Sequence, residues 1–227
     1  MSAGMRAIAK LIADSVPDRR RALVGIDGVD GSGKTTFAAA LAPWLGVRPV
    51  VVIHLDDFRN QSAIRYRRGR GSPEGFWLDT YDYEAVRHAV LEPLKPTGHG
   101  CFRTASYDAV ADRPGWSPRR RAGVDAIVLV EGMFLHRDRL AAVWDYSVFL
   151  DVPFEETARR IAERNGTHPD PQHESMRRYI GGQELYFAAA QPWERASLVI
   201  DNSVPNRPVV ISADRASAAR RAIGHRD

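Results

Sequence analysis

The chain of 227 residues holds one cysteine, Cys101. A single thiol excludes the disulfide-stapled secreted scaffolds and suits a reducing compartment, so a cytoplasmic location is expected. Long hydrophobic runs are missing too. Nothing approaches the roughly 18 apolar residues of a membrane span, so no membrane partner is expected. The opening stretch 1–16 lacks a secretory pattern, because Lys10 and Asp14 interrupt it. Its Met5, Ile8, Leu11, Ile12 and Val16 recur at helical spacing and predict an amphipathic helix packed on the domain. Lysine is scarce: Lys10, Lys34 and Lys95 are the only ones among 32 basic residues. The arginines cluster at 19–21, 65–70 and 119–121, but 28 acidic residues hold the net charge to +4. No recognition helix or aromatic stacking motif accompanies these clusters, so nucleic acid is not expected as a partner. Solvated loops, or loops facing a phosphorylated ligand, are the expected reading. The seven histidines are scattered and have no cysteine partner, which argues against a zinc site.

The size fits one domain, 1–227, with no linker and no internal repeat. Buried strands are predicted at 21–27 (RALVGID), 50–55 (VVVIHL), 126–130 (AIVLV), 146–151 and 198–201. Helices are predicted at 35–45, 81–94, 135–143, 155–163, 174–190 and 214–223, with loops at 59–80 and 96–118. Continuous apolar strands alternating with helices imply an α/β fold whose parallel sheet is covered on both faces. Ligands of such sheets sit beyond the carboxyl ends of the strands.

The first strand runs into Gly28-Val-Asp30-Gly31-Ser32-Gly33-Lys34-Thr35, which fits G-x-x-x-x-G-K-[ST]. A tight loop there can turn its N–H groups around phosphate oxygens, and the helix that follows offers its positive end to the same anion. Lys34 is expected on the β- and γ-phosphates of ATP (or GTP), and Thr35 on Mg²⁺. Thr36 is expected to pack the helix or touch phosphate. Asp56 and Asp57 follow the second strand. An alcohol acceptor needs one carboxylate to orient it and take its proton, and alternation along the strand puts His54 and Asp56 on one face and Asp57 on the other. A capped turn would also use aspartate here. Glu131 ends the third strand, where a carboxylate can hold Mg²⁺. Arg159, Arg160 and Arg164, with a turn-rich stretch after them, suit a lid over 153–190 whose arginines neutralise the transferring phosphoryl group; a charged outer helix face is the plainer alternative.

Taken together, GVDGSGKTT, HLDDF, SPEGFWLDTYDYEAVRHAVLEPL, VLVEGMFL and WDYSVFLDVPFEETARRIAER resemble the uridine kinase family, in the group with phosphoribulokinase and pantothenate kinase. The resemblance spans residues 20–202. It implies a P-loop three-layer sandwich with a five-stranded parallel sheet and a helical lid. It also implies an ATP- and Mg²⁺-dependent kinase acting on a nucleoside 5′-hydroxyl. It points to Asp56 as the catalytic carboxylate, to Asp82 near ribose hydroxyls, to Tyr107 beside the nucleoside, and to Arg159 and Arg160 as lid arginines. Tyr186 and Pro192 fall in the family's closing region. Two positions depart from the pattern. Asp112 stands where family nucleoside kinases carry a histidine that reads the pyrimidine edge, and Arg59 stands where tyrosine is common. These leave a phosphosugar, pantothenate or a ribosylated vitamin as alternative acceptors. A nucleotide switch or ATPase without an acceptor is the reading from another class. A homo-oligomer is left open.

Overall fold

The computed structural model describes residues 3–204 and 206–223. Six strands form the central sheet: β1 Ala22–Gly28, β2 Val50–His54, β3 Ile127–Glu131, β4 Tyr146–Asp151, β5 Leu198–Asp201 and β6 Val209–Ile211. Their order is β6-β5-β4-β1-β3-β2. The first five run parallel, and β6 adds an antiparallel edge. Every residue of β1 and β3 is buried, as their largely apolar runs require at the centre of a covered sheet. The edge strand β6 was not foreseen. It is three residues long and exposes Val209 and Val210, so it lacks the buried-strand signal.

Each face of the sheet has its own apolar layer. One is closed by α1 Ala3–Ser15 and α2 Lys34–Leu41. Met5, Ile8, Ile12 and Val16 of the first stretch are buried, while Leu11 is exposed, so four of the five expected contacts form. Ile8 and Ile12 are fully covered and contribute about 1.5–3 kcal/mol each. Met1 and Ser2 of that stretch lie outside the described residues.

The opposite face carries α3 Pro73–Asp79, a helix running through 83–94, α4 Phe154–Asn165 and α5 Arg177–Ala190. The segment 59–80 is not wholly loop. A helical turn forms at Ser62–Arg65, and Ser72 caps α3 by accepting the Gly75 N–H at 3.0 Å, with Pro73 in the first turn. The glycines around it hid that start signal. In the helix through 83–94, residues Arg87–Leu91 are π-helical just before Pro93. Proline lacks an N–H and crowds the carbonyl four residues back, and a widened turn relieves both. Only Asp138–Ala141 of the expected 135–143 helix forms. The stretch 96–118 contributes to two short antiparallel pairs, Cys101–Phe102 with Arg120–Arg121 and Tyr107–Asp108 with Arg113–Pro114. The tail forms a 3₁₀ turn at Ala213–Arg215 and, after an extended Ala216, the helix α6 Ser217–Ile223. No helix among the described residues is long and apolar enough to cross a membrane.

Candidate active site

The phosphate-binding loop leaves the central strand β1 and turns into α2. Gly31 and Gly33 hold φ angles of +77° and +87°, a region L side chains rarely enter. At Gly31 a Cβ would stand 2.9 Å from the Thr157 carbonyl oxygen of α4, so that helix rests directly on the loop. The loop carbonyls are drawn to donors around it. Asn202 Nδ2 donates to Ser32 O at 2.8 Å, and Arg160 Nη1 donates to Gly31 O at 3.3 Å. A trans peptide points its C=O and N–H opposite ways, so a Ser32 carbonyl pulled toward Asn202 turns the Gly33 N–H away from it. Lys34 Nζ donates to the carbonyls of Gly28 and Val29 at 3.0 and 2.8 Å. Ser32 Oγ is buried without a hydrogen-bond partner.

Sheet register brings the acids to the loop. His54 and Glu131 are paired residues on β2 and β3, and Ile26 of β1 flanks Glu131. Thr35 Oγ1 donates to Glu131 Oε1 at 2.9 Å, and His54 Nδ1 donates to the same oxygen at 2.7 Å. With its proton committed to Glu131, the Thr35 hydroxyl keeps lone pairs for a cation. A hydroxyl and a carboxylate side by side are a hard-oxygen donor set that fits Mg²⁺. His54 is a partner the sequence reading did not assign. Among the described residues no cluster of three or more His, Cys, Asp or Glu suits another metal.

The strand ends at His54, and 55–58 is a single 3₁₀ turn, so strand alternation does not govern Asp56 and Asp57. Gly132 lets that turn press on the end of β3, because a Cβ there would overlap Leu55. Asp56 Oδ1 accepts the Tyr81 hydroxyl at 2.8 Å. Burial drives the Tyr81 phenol well above its ordinary pKa, with Asp56 adding to the shift, so this donor stays protonated. Asp57, which alternation would put on the face opposite Asp56, still interacts with His54, Asp56 and Glu131. Burial raises its carboxyl above the ordinary value, Asp56 and Glu131 push it the same way, and His54 and Arg59 oppose.

A second group stands next to this turn. Asp82 N donates to Phe58 O at 2.9 Å, which sets Asp82 beside the Asp56 turn. Its Oδ1 caps the following helix through Ala85 N at 2.9 Å. Asp112, at φ +46°, accepts from Ser62 N at 2.9 Å, from Tyr107 OH at 2.6 Å and from Ser62 Oγ. These bonds hold its carboxyl down at about 2. The Ser62 N–H also reaches Oδ2 at 3.3 Å, so the roughly four acceptor positions of the carboxylate are largely taken within the protein. Arg65 Nη2 lies 3.3 Å from Tyr107 OH and 3.7 Å from Asp112 Oδ1. Arg59 Nε donates to Asp56 O at 3.0 Å.

The arginine run 65–70 serves largely inside the protein. Arg67 and Arg68 bind the buried carboxylate of Asp79 at 2.5 and 2.9 Å. Arg178 of α5 donates to the carbonyls of Arg65 and Ser72 at 3.0 and 3.2 Å. Of the arginines on α4, Arg160 meets Gly31, and Arg164 pairs with Asp30 at 3.4 Å. Arg159 binds Glu156 and Glu163 on its own helix. Together with Thr36, Phe37, Asn202, Asn206 and Pro208 it lines a cleft of about 270 Å³ beside the loop. Asn202 and its neighbours carry no motif, and nothing in the sequence pattern marks them.

Residues 23–181 match the family model described as AAA domain. Nicotinamide riboside kinase 1 of Mus musculus is 31% identical over 157 residues, 67% of this chain and 71% of that protein. Phosphoribulokinase of Synechocystis sp. is 26% identical over 168 residues, 66% of this chain and 45% of that protein. A solved structure titled as a possible uridine kinase from Bacillus stearothermophilus superposes with TM-score 0.68 at 24% identity, covering 86% of this chain and 96% of that one, and so shares the fold.

Proposed function

We propose that this chain, which belongs to the AAA-domain family of P-loop proteins and within it to the uridine kinase-like small-molecule kinases, phosphorylates the 5′-hydroxyl of a ribonucleoside. It is an ATP-dependent kinase for a small-molecule hydroxyl, and the family uses ATP and Mg²⁺ in general. Bound Mg²⁺ would neutralise the phosphate charge, with Thr35 and Glu131 holding it. The loop 28–36 would carry the triphosphate, and the cleft around Phe37, Arg159, Asn202 and Pro208 the base. Lys34, Arg160 and Arg164, each bonded to the loop, would offset charge on the transferring group. Asp56 is the acceptor's base. Tyr81 pins Oδ1, which leaves Oδ2 to take the proton of the attacking hydroxyl.

The observation that carries the acceptor class is the Tyr107–Asp112–Arg65 group. It joins an aromatic ring, an ionised carboxylate and a guanidinium donor. The Arg65 guanidinium can donate to a carboxamide oxygen, and the ionised Asp112 suits a cationic ring. That favours a ribosylated pyridinium, the substrate class in the name of the mouse relative, over uridine or cytidine. The single domain over 1–227 and the lid over 153–190 belong to the same reading. The test is a coupled assay with Mg-ATP and nicotinamide riboside, uridine, cytidine, a pentose phosphate and pantothenate. Turnover of the first above the others is expected. Activity confined to the phosphosugar or pantothenate would refute the nucleoside reading, and ATP hydrolysis indifferent to every acceptor would favour the switch class.

A further inference from the structure

Beneath the phosphate loop lies a hydrogen-bonded group that the transfer chemistry does not use. Asp27, the residue before Gly28, is fully buried. Its Oδ1 accepts the Gly28 N–H at 2.7 Å. Its Oδ2 accepts the backbone N–H of His136 at 3.1 Å, the ring Nδ1 of His136 at 2.8 Å, and the hydroxyl of Tyr186 on α5. His136 Nε2 lies 2.9 Å from Ser147 Oγ, which accepts the Ser197 N–H at 3.3 Å. Asp, His and Ser in this order have the composition of a nucleophilic triad, but Ser147 is 4% exposed and inside the sheet, where no substrate reaches it.

One turn before Tyr186, on the same side of α5, Gln183 is 1% exposed, and its Oε1 accepts the Asp30 N–H at 2.6 Å. Helix α5 therefore grips the chain at Asp27 and again at Asp30. Between these two grips lie Gly28 and Val29, whose carbonyls receive Lys34 Nζ. Phe134 supports the arrangement from the third side. It holds φ +69° while its ring packs against Phe76, Trp77, Tyr81 and Tyr186. Such a conformation in a bulky residue persists only where surrounding contacts over-determine it, and it orients the segment that presents His136.

We infer that Gln183 and Tyr186 are positioning residues for nucleotide binding. They fix the first half of the phosphate loop, and through the Gly28 and Val29 carbonyls they set where the Lys34 ammonium stands. Neither residue touches the reacting atoms. The inference rests on the nucleotide half of the kinase reading and not on the acceptor, so it is tested by Mg-ATP affinity with no acceptor present.

Gln183→Leu keeps the bulk and removes the acceptor for Asp30 N–H, whereas Gln183→Glu keeps an acceptor oxygen. Calorimetric titration with Mg-ATP should give Gln183→Leu a Kd about tenfold above wild type and Gln183→Glu within about threefold. In the coupled assay the KM for ATP should rise in parallel, while the KM of whichever acceptor is turned over stays within about twofold. Tyr186→Phe, which deletes one oxygen, should weaken ATP by a similar factor and covers the case in which Gln183→Leu does not fold. A purely structural role predicts folded variants that melt earlier yet bind ATP as wild type does, and that result overturns the inference. Wild-type protein without affinity for Mg-ATP would overturn the kinase reading and this inference together. Normal ATP affinity in wild type with an unexpected acceptor would overturn only the nucleoside assignment.

Discussion

Replacing Gly31 by alanine tests whether helix α4 sits on the phosphate loop as closely as the structure requires. Two costs are separable. Gly31 and Gly69 both hold positive φ, +77° and +98°, but a Cβ on Gly69 would meet nothing within 4 Å, whereas on Gly31 it would lie 2.9 Å from the Thr157 carbonyl oxygen and 3.1 Å from Ile161. Gly69→Ala thus measures the backbone term alone. A left-handed L residue costs about 1–2 kcal/mol, and the stiffer unfolded chain returns about 0.4–1, so the net is near 1 kcal/mol, or roughly 2–4 °C in melting temperature. Gly31→Ala carries that term plus about 1–3 kcal/mol for overpacking against a backbone oxygen, giving roughly 4–16 °C. Relief must come from α4 moving off the loop, which draws Arg160 from the Gly31 carbonyl. Mg-ATP affinity should then fall about tenfold or more for Gly31→Ala and stay unchanged for Gly69→Ala. Thermal melts and calorimetric titration on both variants decide it. Equal melting losses with equal ATP affinity would refute the close approach.

Asp56→Asn should lower kcat by about 100-fold or more, the lower range of a general base, while Mg-ATP affinity stays within about twofold; near-normal turnover on the true acceptor would remove Asp56 from that role. Lys34→Ala should abolish detectable transfer and weaken ATP binding, read by the same titration. The Asp112 tie gives a pH signature. Its folded carboxyl lies at about 2 against an ordinary 3.8, so the stabilisation is complete above about pH 4 and disappears as pH falls toward about 2. Wild type should therefore outlast Asp112→Asn in thermal melts at pH 6, with the gap closing over that acid window; a gap independent of pH would sink the assignment.

The phosphate loop was legible because its chemistry demands particular residues at fixed spacing. Glycines at 28, 31 and 33, Lys34 and Thr35 stand in one continuous segment, with a buried strand before it and a helix after it. The central strands were legible for a related reason, since burial on both faces leaves a run that is apolar but for Asp27 of β1 and the terminal Glu131 of β3. Glu131 could be singled out because it ends such a run. The pair Asp56 and Asp57 was found, but the choice of Asp56 came from the family resemblance and not from the strand pattern. Alternation holds only while the chain stays extended, and the 3₁₀ turn at 55–58 ends it.

The sequence by itself determined the local devices: the loop, the helix that follows it, the strands and the acids at their ends. Only the tertiary structure decided which distant residues complete them. His54 reaches Glu131 through the pairing of β2 with β3, and Gln183 reaches Asp30 across 153 positions. Asp112 spends most of its carboxylate on Ser62 and Tyr107, and Arg67 and Arg68 turn inward to Asp79. The physical reason is that a hydrogen bond depends on where two atoms stand in space. The packing of helices on the sheet sets those places, and no spacing along the chain encodes them.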